Sequence, residues 1–346
     1  MEMGLVPALL FLLAAFLIIF KGAGWFVISS VRIAEGFHIP KVLVGATIVS
    51  LVTVSPELLV SAIAAFLGKT EMAIGNAVGS PINNIGFTFA ACVCFTFIPV
   101  EGTVVRNQGL MMLGSVILLF LLGLRGYIDR PAAIFFLTLG CLYLWYSVRM
   151  ARSAIKLWNE NNKGKTENRQ TVGGGFIRPA GVINVAPTIH KKGNPYAVKL
   201  RKDLGLFFLG AALVVAGSRL LILSGTALAK CFGVSETVIG LTLVSFGTSL
   251  PEFFTSITAL TKGHREISAG NIIGANILDI VCVLGVAGLI RPLPINIQTQ
   301  FFALPILIIL SSLFLIFGSF HKGFVRWEGA VLLSVFAFYC FVLFTS

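Results

Sequence analysis

The sequence predicts an all-α polytopic membrane protein of ten transmembrane helices, arranged as two inverted five-helix repeats. Three observations carry that reading. The first is composition: of 346 residues, 57% are hydrophobic and 12% charged, with a mean hydropathy of +0.95. A soluble domain has roughly 25% charged and about 45–50% apolar residues. The second is a series of long apolar segments, divided five and five by one polar interval. The third is a self-similarity between the two halves at an offset of 195 residues. Composition alone excludes a soluble enzyme, a coiled coil and a disordered chain.

A spanning helix needs about 20 mostly apolar residues. Such stretches run over about 5–30, 41–66, 72–97, 109–125, 131–150, 204–230, 236–261, 267–290, 300–317 and 326–344. The first is expected to be retained, because Met1-Glu2-Met3 lacks a basic leader and Lys21 lies too deep to serve as one. The chain thus divides into residues 1–150, a loop at 151–203 and residues 204–346. The segment Arg149 to Trp158 is expected to prolong the fifth span as a basic interfacial helix. The rest of the loop, with Gly173-Gly174-Gly175, reads as a flexible linker.

The net charge of +12 reports topology. With the N-terminus outside, the connections after spans 1, 3, 5, 7 and 9 carry nineteen Lys and Arg, twelve of them between 149 and 202. The opposite connections carry five: Lys69, Arg125, Arg130, Lys230 and Arg291. The positive-inside rule then makes the 151–203 loop cytoplasmic and puts both termini outside, in a multi-pass cell-membrane protein. The basic residues also suit anionic lipid, and no aromatic–basic interleaving suggests nucleic acid. Six cysteines fall in or beside apolar segments without ligand or disulfide spacing, and read as small hydrophobes.

Gly45–Ile85 aligns with Gly240–Ile280 without a gap, giving sixteen identities in forty-one positions. Thr53/Thr248, Pro56/Pro251, Glu57/Glu252, Ser61/Ser256 and Asn76/Asn271 are among them. Each half has an odd number of spans, so the halves insert with opposite orientation and bring equivalent segments together near the midplane.

Of fourteen acidic residues, Glu57, Glu252 and Asp279 lie well inside spans. A charge at a helix centre costs about 2.5–3.5 kcal/mol on insertion scales. Protonation, or pairing with Lys21 or Arg219, would be a structural answer; a cation site shared by the halves is the other, and the repeat favours it. Pro56 and Pro251 stand immediately before the glutamates. Each withholds an N–H, so carbonyls near Val52–Thr53 and Gly247–Thr248 lose their partners. Carbonyls and carboxylates together suit a hard cation such as Ca²⁺. Asn76, Ser80 and Asn84 share one helix face, as do Asn271, Ala275 and Asp279. Gly75/Gly79 and Gly270/Gly274 form GxxxG pairs that allow close helix contact.

Gly247-Thr248-Ser249-Leu250-Pro251-Glu252 with Gly270–Asp279 closely resembles the second α-repeat of sodium/calcium exchangers. Thr53-Val54-Ser55-Pro56-Glu57 with Gly75–Asn84 is similar to the first. The α-repeats then cover 45–86 and 240–281, and the likeness to the cation/calcium exchanger superfamily extends over both halves. The resemblance implies a secondary antiporter that exchanges Ca²⁺ for Na⁺ by alternating access, sliding spans 1 and 6. It implies calcium ligation by Glu57 and Glu252 with the carbonyls of Thr53 and Thr248. Asn84 and Asp279 would complete the central cluster, and Ser80 and Ser249 an outward-side sodium site.

Two family serines are replaced, by Val54 and Ala275, and the resemblance assigns both to an inward-side sodium site. Coupling to fewer sodium ions or to protons therefore stays open, although Asp279 and the GTSLPE string favour sodium. A cation channel is the more distant alternative, and the sequence has no selectivity-filter string. Nor is an enzyme expected: all four histidines lie outside the spans. No cofactor is expected beyond the transported Ca²⁺ and Na⁺, and one chain is expected to suffice for transport.

Overall fold

In the computed structural model the described residues are 5–36, 39, 41–100, 102–171, 200–231, 245–320 and 323–345. Helix α1 (Leu5–Gly36) has 32 residues, a length of about 48 Å at 1.5 Å per residue. That exceeds the ~30 Å of hydrocarbon, so the helix must tilt to stay within it. Lys41–Val44 (α2), a π-helical turn at Gly45–Val49 and Ser50–Thr53 (α3) form a rod that stops at Val54. Ser55–Phe66 (α4) continues beyond a 40° bend. Thr70–Asn83 (α5), a π turn at Asn84–Phe89 and Ala90–Phe95 (α6) make the next rod. Strand β1 (Ile98–Pro99), α7 (Gly102–Gly123), β2 (Tyr127–Ile128) and α8 (Arg130–Thr171) complete the first half.

The second half begins with α9 (Leu200–Cys231) and resumes at α10 (Ser245–Thr248) and α11 (Leu250–Thr261). Then come α12 (Arg265–Leu278), a π turn at Asp279–Val283, α13 (Leu284–Ile290) and β3 (Leu293–Pro294). A π turn at Thr299–Ala303, α14 (Leu304–Phe320), β4 (Gly323–Phe324) and α15 (Arg326–Thr345) close the chain. Among the described residues, seven helices are long and apolar enough to cross a bilayer, and the bent pair Lys41–Thr53 with Ser55–Phe66 makes an eighth. Part of the span expected at 236–261 lies outside the described residues.

The repeat holds at the level of element boundaries. Helices α1 and α9, α4 and α11, and α5 and α12 each start and end 195 residues apart, as do β1 and β3. The turns after α4 and α11 use Gly68 and Gly263 at φ +81° and +78°, the left-handed conformation in which glycine ends a helix without strain. The interval expected to be a linker is shortened. Helix α8 runs on to Thr171, past the expected Arg149–Trp158 extension and through polar sequence in which Lys, Glu, Gln and Arg favour a solvated helix although the asparagines and Gly164 do not. The linker expectation for 172–199 falls outside the described residues.

The halves are interlocked. Strand β1 pairs antiparallel with β4 and β2 with β3, so each two-stranded ribbon takes one strand from each half. Helices α1 and α9 lie along each other in antiparallel register: Ile19 meets Gly217, Gly22 meets Leu213, and Phe26 meets Gly210. A Cβ at Gly22 would stand 2.7 Å from that of Leu213, so the glycine sets the closeness of the pair. Phe26 and Phe207 stack across the same seam with centroids 4.8 Å apart. In the main core Phe89, Phe314 and Phe324 form a ring cluster at 4.7–4.8 Å. Cys92 is buried as expected of a small hydrophobe, but Cys141 faces outward; the described cysteines carry no disulfide.

The GxxxG pair of α12 packs on the α2–α3 rod. A Cβ at Gly270 would overlap the Val42 carbonyl, and one at Gly274 would overlap the Ala46 carbonyl and Ser50 Oγ. Gly274→Val is therefore expected to destabilise the protein by about 1–3 kcal/mol, read as a lowered thermal midpoint in detergent. Gly114, whose Cβ would meet open space, should accept alanine with little change. Equal melting of the two variants would refute the crossing.

Candidate functional site

Both prolines act as helix breakers at the places the sequence indicates. Helix α3 ends at Val54 (φ −74°, ψ −8°), and α4 restarts with Pro56 and Glu57 in its first turn. Helix α11 restarts in the same way after Ser249 (φ −80°, ψ 2°), with Pro251 and Glu252. Each glutamate thus stands at a helix N-terminus, where the macrodipole and free N–H groups favour negative charge. One freed carbonyl is recaptured: Val52 accepts from the Ser55 hydroxyl at 2.7 Å. Leu250 stands in the equivalent place in the second half and brings no such donor.

The threonines before the glutamates are tied across the halves. Thr53 Oγ1 donates to Asn271 Oδ1 at 3.2 Å, and Thr248 Oγ1 donates to Asn76 Oδ1 at 2.9 Å. Asn76 uses its whole amide. It donates to the Glu57 carbonyl at 3.2 Å and to Ser61 Oγ at 2.9 Å, and Ser80 Oγ lies 3.5 Å from its Oδ1. Sequence reasoning placed Asn76 and Asn271 only on a polar face. Their spacing from the threonines spans different halves, so no local pattern could reveal the pairing.

Asn84 and Asp279 open equivalent π turns, Asn84–Phe89 and Asp279–Val283. Such insertions interrupt the i→i−4 ladder and recur at functional sites. Asn84 Nδ2 donates to Asn276 Oδ1 at 3.1 Å, and Asn276 turns its own amide to Met112 Sδ at 3.6 Å. Glu57 lies within repelling reach of Glu252 and Asp279, and Asp279 within reach of Glu252, so the three carboxyls form one electrostatic cluster. All three side chains are at most 1% exposed.

No ion pair reaches them among the described residues; the ion pairs found there, Arg32–Asp203 and Lys41–Glu35, lie elsewhere. Both oxygens of Glu57, Glu252 and Asp279 are buried without a hydrogen-bond partner, and so are Ser249 Oγ and Asn84 Oδ1. The Thr53 hydroxyl lies beside Glu252, but its geometry commits it to Asn271. Lys21 sits over the Trp25 ring, 5.2 Å from its centroid, as a packing group rather than a counter-ion. Arg219 is exposed. Among the described residues no three His, Cys, Asp or Glu side chains converge as a metal triad. A cation here would have to take carbonyl, hydroxyl and amide oxygens along with carboxylates.

Comparison with known proteins bears on what such a site is for. The family model described as sodium/calcium exchanger protein matches residues 7–149 and 202–345. An uncharacterized membrane protein, MJ0091 of Methanocaldococcus jannaschii, is 31% identical over 94% of each chain. The sodium/calcium exchanger MaX1 of Methanosarcina acetivorans is 29% identical over 97% of this chain and 98% of its own. Among solved structures, the sodium-calcium exchanger NCX_Mj soaked with 2.5 mM Na⁺ and 0.1 mM Ca²⁺ superposes with a TM-score of 0.78 at 27% identity, covering 97% of this chain and 98% of that one. The two matched segments leave out only the chain ends and the 150–201 interval, and on that extent the chain belongs to the sodium/calcium exchanger family.

Proposed function

We propose that this protein is a secondary antiporter that exchanges Ca²⁺ for Na⁺ across the cell membrane by alternating access. Its cations bind among Glu57, Glu252, Asp279, Thr53, Thr248, Ser80, Ser249 and Asn84. The observation that carries the reading is the set of buried carboxylate oxygens without a donor or a counter-ion. In a low-dielectric interior, uncompensated carboxylates are strongly unfavourable. A divalent cation, or two monovalent ions in its place, neutralises the pair Glu57 and Glu252. Ca²⁺ takes six to eight oxygens at about 2.3–2.6 Å, and this set offers oxygens of every kind it uses. A neutralised site crosses the occluded state; a bare one is held back by its own charge. Competition for one cluster then couples the two ions, because each shifts the equilibrium only through its differential affinity for the two states.

Ten spans in two inverted halves accommodate this cycle. The antiparallel packing of α1 and α9, at equivalent repeat positions, supports the inversion. Small residues along that seam leave a smooth surface on which the pair can slide. The proposed sidedness has termini outside and the 151–203 loop in the cytoplasm. It is supported by contacts that join segments of like assignment: Arg32 with Asp203, Lys41 with His264, and β1 with β4 on the inner side, and β2 with β3 on the outer. One chain supplies both halves of the cluster, so a monomer suffices.

A second reading, exchange of Ca²⁺ for H⁺, is favoured by Val54 and Ala275. Both are buried, and neither carries a hydroxyl for sodium. Sodium is preferred because Asp279 supplies a third carboxylate for monovalent cations.

Calcium uptake into sodium-loaded proteoliposomes, compared with vesicles carrying only a pH gradient, decides between them. Sodium-driven uptake is expected, and uptake driven by pH alone would transfer the assignment to proton exchange. In the same assay Glu57→Gln or Glu252→Gln should abolish calcium exchange while the protein still folds; normal exchange in either would remove the site. Restoring the hydroxyls in Val54→Ser/Ala275→Ser should steepen the dependence of exchange on sodium concentration, and an unchanged curve would clear those positions of any part in coupling.

A further inference from the structure

The two halves repeat their helices around the cluster but do not repeat its hydrogen bonds. In the first half Asn76 Nδ2 donates to Ser61 Oγ at 2.9 Å and to the Glu57 carbonyl at 3.2 Å, tying α5 to α4 beside the carboxylate. Ser61 extends the tie, donating to the Ala73 carbonyl at 3.3 Å. At the equivalent places in the second half, Asn271 Nδ2 and Ser256 Oγ are fully buried and have no hydrogen-bond partner among the described residues. The identity of the latch residues does not account for the difference, since Asn, Ser and Glu recur in both halves and the paired helices match at 12 and 14 residues, although Val60 and Ala73 beside them become Thr255 and Ser268. The far side of each amide does not account for it either, because both Oδ1 atoms hold a threonine hydroxyl from the opposite half. One half is latched, and its twin is open.

A buried amide and a buried hydroxyl that each lack a partner bear their full desolvation penalty. Two chemically identical latches, one made and one unmade, are the pattern expected when two states of similar energy exchange the roles of the halves. We infer that Asn76–Ser61 and Asn271–Ser256 are alternating latches, and that passage of the site between the two membrane faces breaks one as it makes the other. The inference rests on the alternating-access reading above. It assigns Asn76, Asn271, Ser61 and Ser256 as positioning residues: they set which half closes around the glutamate at its helix start.

Ser61→Ala and Ser256→Ala test this, since neither serine belongs to the proposed ligand set. Ser61→Ala removes the latch formed here; Ser256→Ala removes one that forms only in the opposite state. Each should shift the ratio of apparent calcium affinities on the two membrane faces by about fivefold, the effect of one buried hydrogen bond. The ratio is read in right-side-out and inside-out vesicles. The shifts should have opposite sign, and the double variant should return to the wild-type ratio. Shifts of the same sign, or no effect of Ser256→Ala, would overturn the latches. Wild-type protein that moves no calcium against sodium or protons would instead overturn the antiporter reading. Amide hydrogen exchange in detergent then tests the latches on its own terms. Ser61→Ala should speed exchange in Ser55–Phe66 and slow it in Leu250–Thr261, with Ser256→Ala doing the reverse, and parallel changes would overturn the proposal.

Discussion

Six carboxylate oxygens without a hydrogen-bond donor, inside a bundle whose outer surface is apolar, constrain everything packed around them. Each charge buried at a helix centre costs about 2.5–3.5 kcal/mol even on the milder scales. The fold moderates that cost without removing it. Proline breaks bring Glu57 and Glu252 to helix starts, where exposed N–H groups and the macrodipole favour an anion. Among the described residues no lysine or arginine pairs with them, and under the proposed antiport a fixed counter-ion would leave nothing for a transported cation to do.

The remaining architecture holds two broken helices tip to tip. A broken helix end buried in a membrane protein is stable only if its backbone and side-chain polar groups find partners. Here they come from the opposite half: Thr53 is held by Asn271 and Thr248 by Asn76. Those bonds require α12 to lie close against the α2–α3 rod. Gly270 and Gly274 permit it, since any side chain there would strike the Val42 or Ala46 carbonyl. Ala46 is fixed from the other side, its carbonyl accepting the Tyr143 hydroxyl at 2.6 Å. The glycines of the GxxxG pair therefore serve the polar site as much as the packing.

Much of this was legible in the sequence because the repeat made weak signals count twice. A single intramembrane Pro-Glu is ambiguous, but Pro56-Glu57 and Pro251-Glu252 at one offset predict both the helix breaks and the paired carboxylates, and the structure has them. The ends of the spans expected at 41–66 and 236–261 also coincide with the ends of α4 and α11. What stayed hidden depends on tertiary geometry. A π turn adds one residue and shifts the helical phase, but the sequence after Asn84 and Asp279 is apolar on nearly every side, so the insertions left no trace in periodicity. The two ribbons are two residues long, too short for any alternation to register. The extension of the fifth span to Trp158 was expected, but the continuation of α8 to Thr171 was missed because polarity was taken for a linker, although Lys, Glu, Gln and Arg sustain a helix in water.

The polar symmetry of the cluster is broken in one specific way. Ser249 and Ser80 keep hydroxyls, whereas their repeat equivalents Val54 and Ala275 do not, and all four side chains are buried. Calcium has little need of the lost hydroxyls, because carboxylates and carbonyls dominate its shell. A sodium ion is different: with a single charge it gains less from each carboxylate, and neutral oxygens contribute a larger share of its binding. Under the proposed antiport, Val54 and Ala275 therefore bear on the counter-ion and leave the proposed calcium ligands in place. The paired replacement is what a change in the number or kind of counter-ions predicts.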